Sequence, residues 1–482
     1  MPPLTQPGTP PTILLPPREA PIVAAPDVLV VGGGPSGLGA AIGAAGAGAR
    51  VVLVERYGFL GGNATAALVM PLTSFHAHRN QVPDLENTAL FPTDQGPGDP
   101  VVAGAFRTFV SRLVSEGGAL KPGDRTGYTV PFDPEILKLV AIELLDEAGV
   151  QLLLHAFASG VVGRERVDGV VFETKSGPIV IRARVVVDCT GDGDIAAAAG
   201  APYEIGRDAD GLVQPMTLMF RMAEFEREAF AAYVREHPDQ WRGVHGLWDL
   251  VERATEAGEL DLPREDILFF GTPHPREVSI NSTRVTGVLG TNVWDLTRAE
   301  LEGRRQYRQL VAFLRRWVPG FERSYAIQTG VNIGVRETRR ITGLYRLTGK
   351  DIMAARKFDD AIARGAYPID IHNPEGRGTI LERVPPGEAY DIPLRCLVPR
   401  RVDNVLVAGR CISGTHVAHS SYRVMPTSMA TGQAAGVCAA VAARDGRAVG
   451  DVAAEEVQDE LLRQGADLGR LNARREESLK KS

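Results

Sequence analysis

The chain has four cysteines, Cys189, Cys396, Cys411 and Cys438, and no C-x-x-C pair among them. That spacing excludes the clustered thiolates of a structural zinc site or an iron–sulfur centre. Scattered thiols suit a reducing compartment, with burial as the plain reason for each. An excess of basic charge is also missing. A net charge of −6 leaves no electrostatic footprint for a nucleic-acid partner. No apolar run reaches the roughly 18 residues that a membrane-spanning helix needs. Residues 1–26 (MPPLTQPGTPPTILLPPREAPIVAAP) lack a basic segment followed by an apolar one, so they read as a Pro-rich tail, with the cytoplasm as the expected location. Aromatic residues are scarce at 6%, whereas glycine is abundant at 53 copies. That balance suits an α/β protein whose helices lie close to a sheet.

With 482 residues the chain exceeds what one hydrophobic core usually supports, so two lobes or an insertion are expected. Residues 27–31 (DVLVV) and 51–54 (VVLV) are short apolar runs of the kind that form buried parallel strands. Strand-like runs at 150–154, 161–162, 170–173, 179–181 and 185–187 suggest a small antiparallel meander. Residues 201–395 read as an inserted α+β lobe, with polar helical patterns at 224–236 and 296–317. A strand at 405–408 and an Ala/Gly-rich helix at 427–442 then close the first fold, as residues 396–445, and 446–482 form a C-terminal helix and charged tail.

The strongest local motif is Gly32, Gly34 and Gly37, a G-x-G-x-x-G placed directly after one strand and at the start of a helix, with Pro35 and Ser36 inside it. Gly32 permits the tight turn, Gly34 lets backbone approach a pyrophosphate, and Gly37 allows close helix–strand packing. The helix N-terminus favours phosphate charge. Glu55, which ends the second strand 18 residues beyond Gly37, can accept hydrogen bonds from ribose hydroxyls, with Arg56 beside it. This unit binds a dinucleotide without choosing between FAD and NAD.

Three later segments bear on that choice. Gly61, Gly62, Asn63 and Thr65 can bring backbone and polar side chains over a cofactor, though a glycine before a helix N-cap looks the same. Thr190, Gly191 and Asp192 end an apolar strand, at the sheet edge where ligands bind. Gly409 and Arg410 end the 405–408 strand, and Gly432, Gln433 and Ala434 lie in the helix after it. Helix dipoles there would stabilise charge on a reduced flavin.

Together GGGPSG, ER-x-x-x-L-GG-x-AT, TGDGD, VRETRR and VLVAGR-x-IS-x-TH-x-AH-x-S-x-RVMPT-x-MA-x-GQAAG resemble the FAD-dependent oxidoreductase family that includes the flavin subunit of heterodisulfide reductase. More distantly they are similar to glutathione-reductase and fumarate-reductase flavoproteins. The resemblance implies a Rossmann-like FAD-binding domain of the glutathione-reductase type, with an inserted α+β substrate or cap domain. It further implies non-covalent FAD, with adenosine on Glu55, pyrophosphate on 32–37, and flavin near Gly409, Arg410 and the Gly432 helix. The cysteine clusters of heterodisulfide-reductase flavin subunits are missing, as are a second G-x-G-x-x-G for NAD(P)H and a redox cysteine pair.

Candidates for catalysis lie between the closing strand and helix. His416 and His419, three residues apart, can serve as acid or base beside flavin N5, or can bond backbone carbonyls in a buried loop. Arg423 can bind a substrate carboxylate or pair with an acid. Arg336 and Arg339 are expected to share a helix face and suit an anionic substrate, with an ion pair to Glu337 as the alternative. Asn281 and Arg284 are further candidates from the inserted lobe. The expected function is hydride transfer between a small organic substrate and flavin N5, with an electron partner the sequence does not identify. A flavin-dependent monooxygenase and a flavin electron-carrier subunit of a larger complex stay open as alternatives.

Overall fold

The computed structural model describes residues 12–78, 90–92, 98–376 and 378–472. Five parallel strands carry the molecule: β1 (Val28–Val31), β2 (Val51–Val54), β3 (Gln151–Leu153), β4 (Val185–Asp188) and β5 (Val405–Val407). Their order across the sheet is β5-β4-β1-β2-β3. Val28 of β1 stands opposite Val51 on one side and Val185 on the other. Every residue of β1, β2, β4 and β5 is buried, because helices cover both faces of a parallel sheet. Hence these strands read as unbroken apolar runs. Four helices position the site: α1 (Pro35–Gly46), α2 (Val293–Trp317), α3 (His416–Tyr422) and α4 (Met425–Asp445).

α1 and α4 meet backbone to backbone. A Cβ on Gly39 would lie 2.1 Å from the carbonyl oxygen of Met429, and one on Gly43 2.4 Å from that of Gln433. Reciprocally, a Cβ on Gly432 or Gly436 would lie 2.0 Å from the carbonyl oxygen of Ser36 or Ala40. Glycines four apart on both helices make this approach possible, which explains the Ala/Gly-rich sequence of the two helices. The contact holds the N-termini of α1 and α4 side by side above the carboxyl ends of the strands.

The expected meander is smaller than the sequence suggested. Phe157–Val162, Gly169–Thr174 and Gly177–Ile181 form it, whereas the outer two runs are β3 and β4 of the parallel sheet. A short apolar run looks alike in either sheet, and only its partner decides. Ile22–Ala24 adds a parallel edge strand, with Ile22 opposite Val180, so part of the expected tail is paired.

A second sheet of six strands lies between Phe220 and Thr329. Its core is aromatic: Phe225, Phe230, Trp241, Phe269 and Phe321 pack with ring centroids 4.7–5.9 Å apart. The expected end of this insertion at 395 moves forward. Ile341, Leu347, Ile369, Tyr390 and Ile392 are buried in the core of the parallel sheet, not the aromatic one. Among the described residues no helix is long and apolar enough to cross a membrane.

Candidate functional site

A cleft of about 1200 Å³, partly open to solvent, follows the carboxyl ends of the strands. Glu55 after β2, Gly32 after β1, Thr190 to Asp192 after β4 and Arg410 after β5 line it in that spatial order. Phe157 and Ala158 wall it beyond Glu55; Asn332, Val335, Arg423 and Met425 wall the other part. Among the sequence candidates, Gly34, Pro35, Ser36, Arg56, Gly62, Asn63 and Gly191 also face this space.

These residues fit an extended dinucleotide. Gly32 has φ +102°, and a Cβ there would strike the carbonyl of Cys189 at 2.4 Å. A Cβ on Gly34 would meet only the Cα of Gly62, at 3.6 Å, so the space above it is open. Gly34 is also the N-cap of α1 and makes no side-chain cap bond. The first-turn N–H groups thus remain available to an anion. Glu55 is buried; its Oε2 accepts a bond from the Gly33 N–H (2.6 Å) and its Oε1 one from the Tyr57 N–H (3.0 Å). A carboxylate accepts about four bonds, which leaves capacity for ribose hydroxyls. Arg410 donates from Nη2 to Asp192 (2.9 Å), while its buried Nη1 has no partner.

Several expected cofactor contacts belong to the scaffold instead. Gly37 is buried in the first turn of α1, where a Cβ would be 1.8 Å from the Gly32 carbonyl. Thr65 is buried and its hydroxyl donates to the Leu60 carbonyl (2.7 Å). Gly61 has φ +111° and borders an apolar space beside the cleft. Gly409 packs against Ser36. Gly432 and Ala434 are buried in α4, and Gln433 accepts the Ala105 N–H (3.1 Å) and donates to Gln464 (3.0 Å). Small or polar residues beside a motif look the same in either role; burial separates them. One scaffold residue escaped the sequence reading. Asp188 ends β4 and accepts the N–H groups of Thr190, Ile195 and Ala196, which shapes the T-G-D turn. Burial pushes its carboxyl up to about 6, against the opposing Thr190 hydroxyl bond. All four cysteines are buried and unpaired.

The histidines sit on α3, whose N-cap Thr415 accepts the Ala418 N–H. His416 places Nδ1 2.9 Å from the carboxylate of Glu337, which is fully buried. A carboxylate only accepts, so Nδ1 donates to Glu337. The Nε2 of the same ring is buried without a partner. Glu337 also accepts from Arg340 and from the Gln214 N–H (3.1 Å), and Arg340 donates onward to the Gly414 and Gly206 carbonyls. The alternative of an ion pair to Glu337 within this basic run is what the structure has, with Arg340 as the partner. Arg339–Ile341 is a strand paired to Tyr203–Ile205, so Arg336 and Arg339 share no helix face. Strand pairing overrode the helical spacing of the polar run. Arg339 bonds Asp194 (2.8 Å). Among the described residues His419 bonds no carboxylate; burial holds it well below the usual histidine value, and its ring packs edge-on against Tyr422.

Beside this dyad lies a cationic cluster. Arg423 donates to Asp370 (3.2 Å), which also takes a bond from the Tyr367 hydroxyl and lies 3.5 Å from His372 Nε2. Arg336 donates to the Pro215 carbonyl (2.7 Å) and the Thr217 hydroxyl (2.5 Å). Burial and the neighbouring Arg423 push Arg336 down to about 9. Burial, opposed by Asp370, holds His372 at about 4, so it is neutral near pH 7.

A family model described as FAD dependent oxidoreductase matches residues 27–461. Solved structures similar to the chain include a geranylgeranyl bacteriochlorophyll reductase-like protein from Thermoplasma acidophilum, 13% identical, covering 91% of this chain and 82% of that one with a TM-score of 0.42. The p-nitrophenol 4-monooxygenase PnpA of Pseudomonas putida DLL-E4 is 11% identical, with 91% and 84% covered and a TM-score of 0.43. The myxobacterial chondrochloren halogenase CndH is 12% identical, with 91% and 78% covered and a TM-score of 0.41. A search of curated proteins gives no match.

Proposed function

The chain belongs to the FAD-dependent oxidoreductase family, and from that premise we propose that it transfers a hydride between a small anionic substrate and flavin N5. Within the family, the C-terminal motif and the missing cysteine clusters suggest a free-standing relative of the heterodisulfide-reductase flavin subunit. A reducing, cytoplasmic setting suits its four unpaired thiols.

The observation that carries the reading is the oriented, unpartnered Nε2 of His416. Non-covalently bound FAD would supply the two-electron carrier. Glu337 orients the His416 ring through Nδ1, and Arg340 balances the Glu337 charge, which leaves Nε2 without a protein partner. As the substrate is oxidised, Nε2 takes the proton released from its hydroxyl or amine. The imidazolium so formed faces the Glu337 carboxylate, which stabilises it. Arg336 and Arg423 hold the anionic end of the substrate, and guanidiniums suit that task because they present paired donors. The six-stranded lobe excludes water from the reacting carbon.

The test is anaerobic mixing of the holoenzyme with a panel of hydroxy and amino acids. Bleaching of the flavin absorbance by at least one of them is expected, and the reading falls if His416→Ala bleaches at the wild-type rate.

A further inference from the structure

Resting on the reading that the space beside His416 holds the substrate, we infer that this substrate carries two negative charges, with Arg336 and Arg284 as their separate anchors. The inference comes from charge that the protein itself leaves unbalanced. Four guanidiniums, of Arg264, Arg284, Arg336 and Arg423, share this region. Arg264 is paired with Asp266 (2.8 Å) and Arg423 with Asp370 (3.2 Å). Among the described residues, Arg284 and Arg336 have no carboxylate within ion-pair distance.

Their partners are neutral. Arg284 donates to the Gly376 carbonyl (2.5 Å) and the Gly378 carbonyl (3.4 Å), and its Nη2 lies 3.4 Å from His372 Nδ1. Arg336 reaches only the Pro215 carbonyl and the Thr217 hydroxyl. A chain of contacts runs from Arg284 through His372 and Asp370 to Arg423, and Arg264 and Arg336 lie close enough to act on these groups electrostatically. The mutual influence shows: burial and Arg264 push Arg284 down to about 10, and Arg284 in turn helps lower Arg336. Glu265 acts on Arg284 from an exposed position, and His245 adds a further donor to Asp266 (2.8 Å). Asp370 is buried and Asp266 half-buried, and each is taken by one arginine, so Arg284 and Arg336 are left without a carboxylate in direct contact.

Buried charge without a counterion is costly, so two such groups in one chamber point to a ligand that supplies the missing charge. Unused polar atoms point the same way. Arg423 Nε, Asn281 Oδ1 and both side-chain amide atoms of Gln214 are buried without a partner. A monocarboxylate would balance one cation and leave the other bare. A dicarboxylate or a phosphorylated acid would balance both; the shared chemistry is a doubly charged, oxygen-rich anion.

The experiment titrates the holoenzyme at fixed ionic strength with malonate, succinate, glutarate and inorganic phosphate, with acetate and propionate as controls, and follows the flavin absorbance. At least one dianion should bind about tenfold or more tightly than either monocarboxylate. Arg284→Gln should abolish that preference and keep the flavin. Preference for a dicarboxylate identifies that source, and preference for phosphate identifies the phosphorylated acid. Equal affinity of wild type for singly and doubly charged anions overturns the inference, whether or not the variant folds; so does a variant that keeps the preference. A dianion preference with no bleaching by any member of the hydroxy- and amino-acid panel would sink the redox reading alone. A monocarboxylate that bleaches it, with no dianion preference, would sink this inference alone.

Discussion

The phosphate end of the cleft and the cationic chamber beside His416 are assembled in opposite ways. The first draws mainly on one stretch, from Gly32 to Asn63, braced by α4 where glycines leave no room for a Cβ between the two helices. The second gathers Gln214, Arg284, Arg336, Glu337, Asp370, His416 and Arg423 from segments far apart in the chain. One is a backbone cradle in which side chains are removed to make room. The other is a set of charged side chains placed where charge is needed. Damage to the first should therefore appear as lost folding and lost flavin, and damage to the second as lost rate in a protein that keeps both.

The largest expected effect tests the cradle. Gly432→Val drives side-chain atoms into the Ser36 carbonyl and should exceed the roughly 1–3 kcal/mol of ordinary overpacking, because backbone cannot yield as a side chain can. Soluble yield, thermal midpoint and bound flavin should fall together; a yellow, stable variant would refute the tight α1–α4 contact. In the chamber, His416→Ala should keep its flavin while reduction by substrate slows by about 10²–10⁴-fold, the usual worth of a positioned acid–base group. Stopped-flow reduction checks it. Arg336→Gln should raise KM for the anionic substrate by roughly 10–100-fold with a smaller change in kcat, as expected when a charged hydrogen bond is removed.

A smaller effect concerns pH. An unfolded chain protonates histidine near 6.5, whereas the folded protein holds His372 neutral down to about 4. Between these values the unfolded state binds more protons, so stability falls as pH is lowered through that window, by up to about 3 kcal/mol. Urea midpoints from pH 7 to pH 4 measure the slope, and His372→Gln should flatten it. The smallest effect separates scaffold from cofactor contact. Thr65→Val removes the bond to the Leu60 carbonyl and should lower stability by about 1 kcal/mol without changing flavin content. Flavin loss in a stable Thr65→Val protein would return that residue to the cofactor.

The two regions also differ in how far they could be read from the sequence. Gly32, Gly34 and Glu55 were legible because their spacing follows from one turn, one helix start and one strand length. Gly432 and Gln433 stand in an equally suggestive motif, yet they pack α4 against α1 and Ala105. A glycine that admits a ligand and one that admits a helix look identical in a sequence. The aromatic core of the six-stranded lobe was not anticipated either, since its phenylalanines are spread from Phe225 to Phe321. An ion pair between Glu337 and its arginine-rich run was legible, whereas the choice of Arg340 and the contact with His416 were not.

The sequence alone determined that a dinucleotide binds across the carboxyl ends of a parallel sheet, because turn geometry, helix start and strand composition are properties of adjacent residues. Only the tertiary structure decided which histidine is oriented, which arginines lack a counterion, and where the insertion ends. Those depend on Coulomb and packing contacts between segments that meet only once the chain has folded. His416 and Glu337, 79 positions apart, meet at 2.9 Å.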